Sequence, residues 1–324
     1  MNDTWDRRAF LKRVALGCAG IGGIATAGTL LVDAGRDAPL AAPRVAQVRD
    51  FRAGLDLADV ARVVVSAKGE AAAAARAAIA ALGGMERFVR RGETVVIKPN
   101  VGWDRTPLQA ANTNPIVVAT LVSLCVDAGA ASVVVTDNSC NEAARCFTRS
   151  GIWKAAEGAG ATVVLPAPHR FRMYEFGGVA LGRMPVLVAA VEADRFINVP
   201  IAKHHGFSGF TGAMKNLYGV LGGRRDRLHQ RIDESIADLA DFVRPTLTVM
   251  DATRVLVRNG PQGGDVGDTE AVGRVIASVD QVAVDAHACG FIGIAPADLP
   301  YLGLAAARGL GAADPSRISL REIS

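Results

Sequence analysis

Short apolar runs alternate along the chain with stretches of helical period. Ala61–Val65 (ARVVV), Thr94–Ile97 (TVVI), Ser132–Thr136 (SVVVT), Thr162–Leu165, Arg195–Val199 (RFINV), Leu247–Met250 (LTVM) and Val275–Ser278 read as strands. Most are continuously apolar, as strands covered on both faces are. Between them, helical patterns occupy Glu70–Leu82, Pro115–Ala128, Asn141–Gly158 with a break near Gly151, Ile232–Val243, Val282–Ile292 and Leu299–Ala307. Pro115 in a first turn and Gly129 just past an end fit the usual asymmetry of helix termini. This alternation predicts parallel βαβ units. The expected fold class is α/β, a mainly parallel sheet flanked by helices, in one body or in two lobes with a cleft. His169–Arg183 is less regular and predicts a small β excursion.

Four of these strands run directly into polar residues. TVVI leads to Lys98-Pro99-Asn100, SVVVT to Asp137-Asn138, FINVP to Lys203 and His205, and LTVM to Asp251. In a parallel sheet the carboxyl ends share one edge, and ligands bind in the crevice outside it. Each residue also has a plainer reading. Asp137-Asn138 and Asp251 suit turns and caps, Asp280 and Asp285 suit a helix start, and Lys98 suits an exposed loop. His169 reads as surface, His287 as packing, and His229 as either. Arg224–Arg231 holds four arginines and is either a solvated face or an anion-binding loop.

The richest stretch is Ile197–Gly223, INVPIAKHHGFSGFTGAMKNLYGVLGG. The pattern predicts a strand ending at Pro200, a glycine-rich loop, and a helix from about Gly209 that carries Thr211, Lys215 and Asn216. Thr211 and Lys215 would then share a face. Gly206, Gly209 and Gly212 would leave backbone N–H groups open near the helix start, a geometry that binds phosphate or carboxylate. Lys98, Lys203 and Lys215 would make the pocket cationic, and a lysine desolvated beside other cations can act as a base or nucleophile. Alternatively, His205 with Asp137, Asp251 or Asp285 could ligate a metal. Adjacent histidines point apart, so one of His204 and His205 faces the site; His205 is the choice.

Composition narrows the partners. The chain has 324 residues, half of them apolar, and a net charge of +4. Residues 1–36 hold five basic and three acidic side chains; the rest hold 31 and 29. No nucleic-acid footprint is expected from such a balance. Asp6–Lys12 (DRRAFLK) resembles the twin-arginine export signal, and Val14–Val32 comes after it as an uncharged run just long enough to span a bilayer. The expected organisation is a signal or uncleaved anchor over 1–36, a linker over 37–59, and an α/β domain over 60–324. The export machinery is the expected partner, and the location periplasmic or membrane-anchored facing outward. The signal's usual cargo folds before export, often around a cofactor, so a metal or organic cofactor is an expectation without an identity. Beyond the signal, Cys125, Cys140, Cys146 and Cys289 form no C-x-x-C, so no iron–sulfur motif is present. Cys140 and Cys146 are a candidate pair in an oxidising compartment.

The motifs KPN, NVPIAKHHGFSGFTGAMKNLYGVLGG, NGPQGGD and ASVDQVAVDAHACGFIGI together resemble the DUF362 family, from about Val60 to Gly311. The resemblance singles out Lys98, Asn100, Asn198, Lys203, His205, Thr211, Lys215, Asn216, Gly260, Pro261, Asp280 and Asp285. His204 fills a variable place in the pattern. Many members add a ferredoxin-like domain with eight cysteines, which this chain lacks. The resulting expectation is an exported enzyme whose cleft binds a small anionic substrate or cofactor. Lys98, Lys203, His205 and Asp285 would be the catalytic set. Asn100, Thr211, Gly212, Lys215 and Asn216 would hold the ligand. A non-catalytic periplasmic binding protein and a His/Asp metal protein are the alternatives.

Overall fold

The computed structural model describes residues 44–45, 49–55 and 62–323. Strands β1 (Arg44–Val45) and β2 (Arg49–Asp50) precede β3 (Val63–Val65), helix α1 (Ala71–Ala81), β4 (Thr94–Pro99), α2 (Pro115–Asp127) and β5 (Ser132–Val135). Helices α3 (Ala143–Arg149) and α4 (Ile152–Gly158) lead to β6 (Thr162–Val163), β7 (Phe171–Glu175), β8 (Arg183–Leu187) and α5 (Val188–Glu192). Next come β9 (Arg195–Val199), β10 (Ile201–His205), β11 (Gly209–Thr211), α6 (Ala213–Asn216), α7 (Ile232–Phe242) and β12 (Val243–Arg244). The chain closes with β13 (Leu247–Leu256), β14 (Thr269–Ser278), α8 (Gln281–Ala288), α9 (Pro300–Ala307) and β15 (Leu320–Glu322).

Ten strands form one sheet in the order β15-β3-β14-β13-β9-β4-β5-β6, with β10 added on β13 and β11 on β10. Strand β14 runs against β13 and β3, and β11 against β10; the other pairings are parallel. The expected α/β class, mainly parallel and flanked by helices, is therefore the observed one. Side chains alternate across the sheet, as the two-residue period of a strand dictates. Val95, Ile97, Ile197 and Val249 join the layer under α1–α4, and Val96, Phe196, Met250 and Ile276 join the layer under α5–α9. Lys98 and Asn198 share the parity of Val96 and Phe196 and are cross-strand partners, so they enter the second layer side by side. That layer holds the cleft.

The excursion expected over 169–183 is a small sheet, β1-β7-β8. Part of the segment expected to be a linker lies in the fold. Arg44–Val45 pairs with β7, Arg49–Asp50 pairs with β12, and Phe51 is buried against Phe196 with ring centroids 5.6 Å apart. Two strands are longer than their apolar runs. Strand β13 continues past Asp251 to Leu256, and β14 starts at Thr269. Polar residues within them broke the apolar pattern, while the ladder continues across a register shift between Ala252 and Arg254. The twin-arginine motif and the apolar run behind it lie outside the described residues. No helix among the described residues is long and apolar enough to cross a membrane.

Candidate functional site

The chain does not leave the sheet at Pro200. Strand β9 lies beside Leu247 and Thr248, and β10 continues along the same neighbour, with Ile201 opposite Asp251 and Lys203 opposite Leu256. A turn at Gly206–Ser208 then closes a hairpin in which Lys203 faces Thr211, His204 faces Phe210 and His205 faces Gly209. Gly209 has φ +70°, which a side chain would resist. The expected loop and helix over 206–216 are thus a hairpin plus a four-residue helix, and Thr211 lies on a strand, not one helical turn before Lys215. The pleat gives the same convergence by another route: Lys203, His205 and Thr211 share one face, and His204 points to the other. The His204 Nδ1 accepts the Gly260 N–H at 3.1 Å, anchoring the NGPQGG loop to the hairpin.

The helix start that promised an anion seat is already occupied. The Asp285 carboxylate, reaching from α8, accepts the Ala213 N–H and, at 3.0 Å, the Met214 N–H. A Cβ on Gly212 would sit 2.1 Å from that carboxylate, so this glycine serves the close approach. Burial raises Asp285 to about 7, against the pull of the two N–H donors. Asp285 lies behind the cleft wall and is not among the residues lining the cleft. Its expected catalytic role and the expected ligand role of Gly212 are therefore replaced by a cap.

A polar chain runs behind and into the cleft. Lys98 Nζ lies 2.7 Å from Asp137 Oδ1, with both side chains almost fully buried, and it donates to Asn216 Oδ1 at 3.0 Å. Asn100 Nδ2 donates to the same Asn216 oxygen at 2.9 Å, and Asn100 Oδ1 accepts from Lys203 Nζ at 3.0 Å. Asn216 Nδ2 donates to Asn198 Oδ1 at 2.8 Å. Asp137 Oδ2 accepts the Val101 N–H at 2.7 Å. Lys98 is thus a structural cation with its own counter-ion, set behind the wall. Burial lowers its pKa, and Asp137 opposes that. Gly219, three residues after Asn216, lets backbone approach the pair; a Cβ there would fall 1.7 Å from Asp137 Oδ1.

In front of this chain is a cleft of about 530 Å³ at the carboxyl ends of β4, β5, β10 and β13. Lys203, Lys215 and Arg225 line it. None of the three is in an ion pair among the described residues. Lys203 donates to Asn100 and to the Ala111 carbonyl, and Arg225 donates to the carbonyls of Asn138, Ser139 and Tyr218. Lys215 Nζ has no hydrogen-bond partner among the described residues and lies 4.1 Å from the centroid of the Tyr218 ring. Thr211 Oγ1 is buried and without a partner among the described residues. Burial lowers Lys203 to about 7 and Lys215 to about 8.

Two histidines flank the cations, with rings 5.9 Å apart and nearly parallel. His205 Nδ1 accepts the N–H groups of Phe207 and Ser208 at 3.1 and 3.3 Å, which leaves its proton on Nε2. Burial, then the charges of Lys215 and Lys203, push His205 down to about 2, so it is a neutral N–H donor. His229 Nδ1 lies 3.1 Å from the Asp226 carbonyl, which can only accept, so its Nε2 keeps a lone pair. Sequence reasoning left His229 undecided and missed Arg225, Gly219 and Tyr218. Only the run of arginines signalled Arg225.

The proposed metal set is not brought together. Asp251 accepts from Asn114 N–H and Thr253, fully buried away from the cleft. Among the described residues no three His, Cys, Asp or Glu side chains converge as a metal cage requires. Asp280 caps α8 through the N–H groups of Val282 and Ala283. Cys140 and Cys146 are free thiols, one exposed and one buried, so the pairing expected of them is absent.

With this geometry in hand, similarities to known proteins acquire a structural location. A thylakoid-associated protein of Synechocystis sp. is 26% identical over 250 residues, covering 75% of this chain and 76% of that protein. The lactate racemase apoprotein of Thermoanaerobacterium thermosaccharolyticum aligns with a TM-score of 0.42 and 13% identity, over 79% of this chain and 61% of that one. The family model described as "Domain of unknown function (DUF362)" matches residues 95–290, which include the polar chain, the cations and both histidines. The chain belongs to the DUF362 family.

Proposed function

We propose that this chain is an exported enzyme whose cleft takes a small anionic substrate or cofactor. The observation that carries the reading is the set Lys203, Lys215 and Arg225, which line one cleft without an acidic partner in ion-pair reach among the described residues. Burying an unpaired cation is costly, and the group loses its proton or finds a counter-charge. A bound carboxylate, sulfate or phosphate is that counter-charge. Thr211 Oγ1 and the His205 Nε2–H are further donors for its oxygens. His229, with a free Nε2 lone pair, is better suited than His205 to accept a proton from the bound ligand. This revises the sequence reading, which placed His205 in the catalytic set and left His229 undecided. Export rests on the twin-arginine motif alone.

Calorimetric titration with inorganic sulfate tests the seat. The variant with Lys203→Ala and Lys215→Ala should bind at least about 100-fold more weakly than wild type, roughly 2.7 kcal/mol, with its circular dichroism unchanged. Equal affinity in the two proteins would remove the basis of the reading. For export, Arg7→Lys with Arg8→Lys should leave the protein in the cytoplasmic fraction of its host. Secretion of that variant at the wild-type level would remove the localisation proposal.

A further inference from the structure

The anion reading leaves one cleft residue without a task. Cys140 lines the cleft and is exposed, whereas Cys125, Cys146 and Cys289 are buried. Its backbone is held firmly. The Cys140 N–H donates to the Gly102 carbonyl at 2.9 Å, Ser139 Oγ donates to the Val101 carbonyl, and Arg225 grips the carbonyls of Asn138 and Ser139 at 2.7 and 2.9 Å. The backbone that carries Cys140 is therefore held in the wall of the cleft that Lys203 and Lys215 also line. Two independent features of the same cleft ask for a ligand. Thr211 is 4% exposed and its hydroxyl has no partner among the described residues; Lys215 is 6% exposed and its ammonium has no hydrogen bond or ion pair among them. A buried hydroxyl without a partner, as at Thr211, is uncommon and calls for one.

We propose that Cys140 is a nucleophile that adds to the carbonyl carbon of an anionic ligand held by Lys203 and Lys215. The proposal rests on the anion reading above. Three kinds of group needed for carbonyl addition line the one cleft: a thiol, a cationic seat for the ligand's charged end, and the His205 Nε2–H as donor to a carbonyl oxygen. In the step, the thiol proton leaves to His229 Nε2 and the sulfur forms a bond to the carbonyl carbon. The C=O π pair moves onto oxygen, where His205 donates a hydrogen bond, and the same proton then returns to that oxygen. The product is a thiohemiacetal or thiohemiketal. No group leaves and no oxidant is consumed.

The test labels the full chain with iodoacetate or iodoacetamide and follows the Cys140 peptide by mass mapping. Here the sulfur displaces iodide, which departs with the C–I electron pair. The ratio of iodoacetate to iodoacetamide rates should be at least tenfold higher in the folded chain than in the same chain unfolded in urea. It should fall to the unfolded value in the Lys203→Ala, Lys215→Ala variant. Glyoxylate, an anion with an electrophilic carbon, should slow iodoacetamide labelling at least tenfold more than acetate at the same concentration. An unchanged ratio, or equal protection by glyoxylate and acetate, overturns the proposal. Sulfate binding measured alongside separates the two readings. Sulfate bound with Cys140 unselective overturns the nucleophile alone, and no sulfate bound overturns the anion seat as well.

Discussion

Lys98 and Lys203 make an instructive pair. Each is 1% exposed, each comes after a run of buried strand residues, and each touches Asn100 or its partner Asn216. Lys98 has Asp137 at 2.7 Å, whereas Lys203 has only neutral oxygens. The first lysine completes a structure and the second waits for a ligand. Burial alone distinguishes neither; the counter-charge does. The same contrast separates Asp285, whose carboxylate serves two N–H groups, from Lys215, whose ammonium serves none.

The comparison can be broken most forcefully at Lys98. Lys98→Met leaves the Asp137 charge buried and alone, and should cost about 3–5 kcal/mol in urea unfolding. Lys203→Met removes a buried cation that has no counter-ion, so it should destabilise by no more than about 1 kcal/mol and can stabilise. Similar losses in the two variants would erase the distinction. A smaller effect is expected behind the wall. Asp285→Ala frees two buried N–H groups and should cost about 1–3 kcal/mol, while sulfate affinity stays within about twofold, the reach of a site it does not touch. A large loss of affinity there would return Asp285 to the site.

The smallest effect is a slope. An unfolded lysine holds its proton up to about 10.5, whereas folded Lys203 releases it near about 7. Between pH 7 and 9 the unfolded chain therefore binds more protons at this position, so stability rises with pH. Lys203→Met should flatten that rise by less than about 1.4 kcal/mol per pH unit, the limit for one proton. Parallel stability profiles for wild type and variant would show that Lys203 folds charged.

Much of this was legible in the residues. Apolar strand runs gave the sheet, and the polar residues behind them gave the edge where Asn100, Asp137, Lys203 and His205 meet. Their convergence is a consequence of topology alone. The hairpin was harder to read. The stretch IAKHH alternates poorly because Lys203 and His205 face a cleft while His204 packs on the other side against the Gly260 loop, so a hydrophobic pattern could not report it as strand. Asp285 and Asp251 were misplaced for a related reason. A buried carboxylate satisfied by N–H groups of a distant segment looks, in one dimension, like a reactive one. Arg225 and Cys140 carried little signal, since their positions depend on loops whose course is set by hydrogen bonds to Asn138, Ser139 and Gly102.

The most direct test of the central claim counts protons. Lysines at about 7 and 8 are partly neutral at pH 8, and an anion can pair only with their charged forms. Sulfate binding measured calorimetrically at pH 8, in two buffers of different ionisation enthalpy, should reveal uptake approaching about one proton per sulfate. The uptake should vanish in the Lys203→Ala, Lys215→Ala variant. Sulfate binding with no proton uptake, or uptake that survives loss of both lysines, would contradict an anion seat built on buried, unpaired cations.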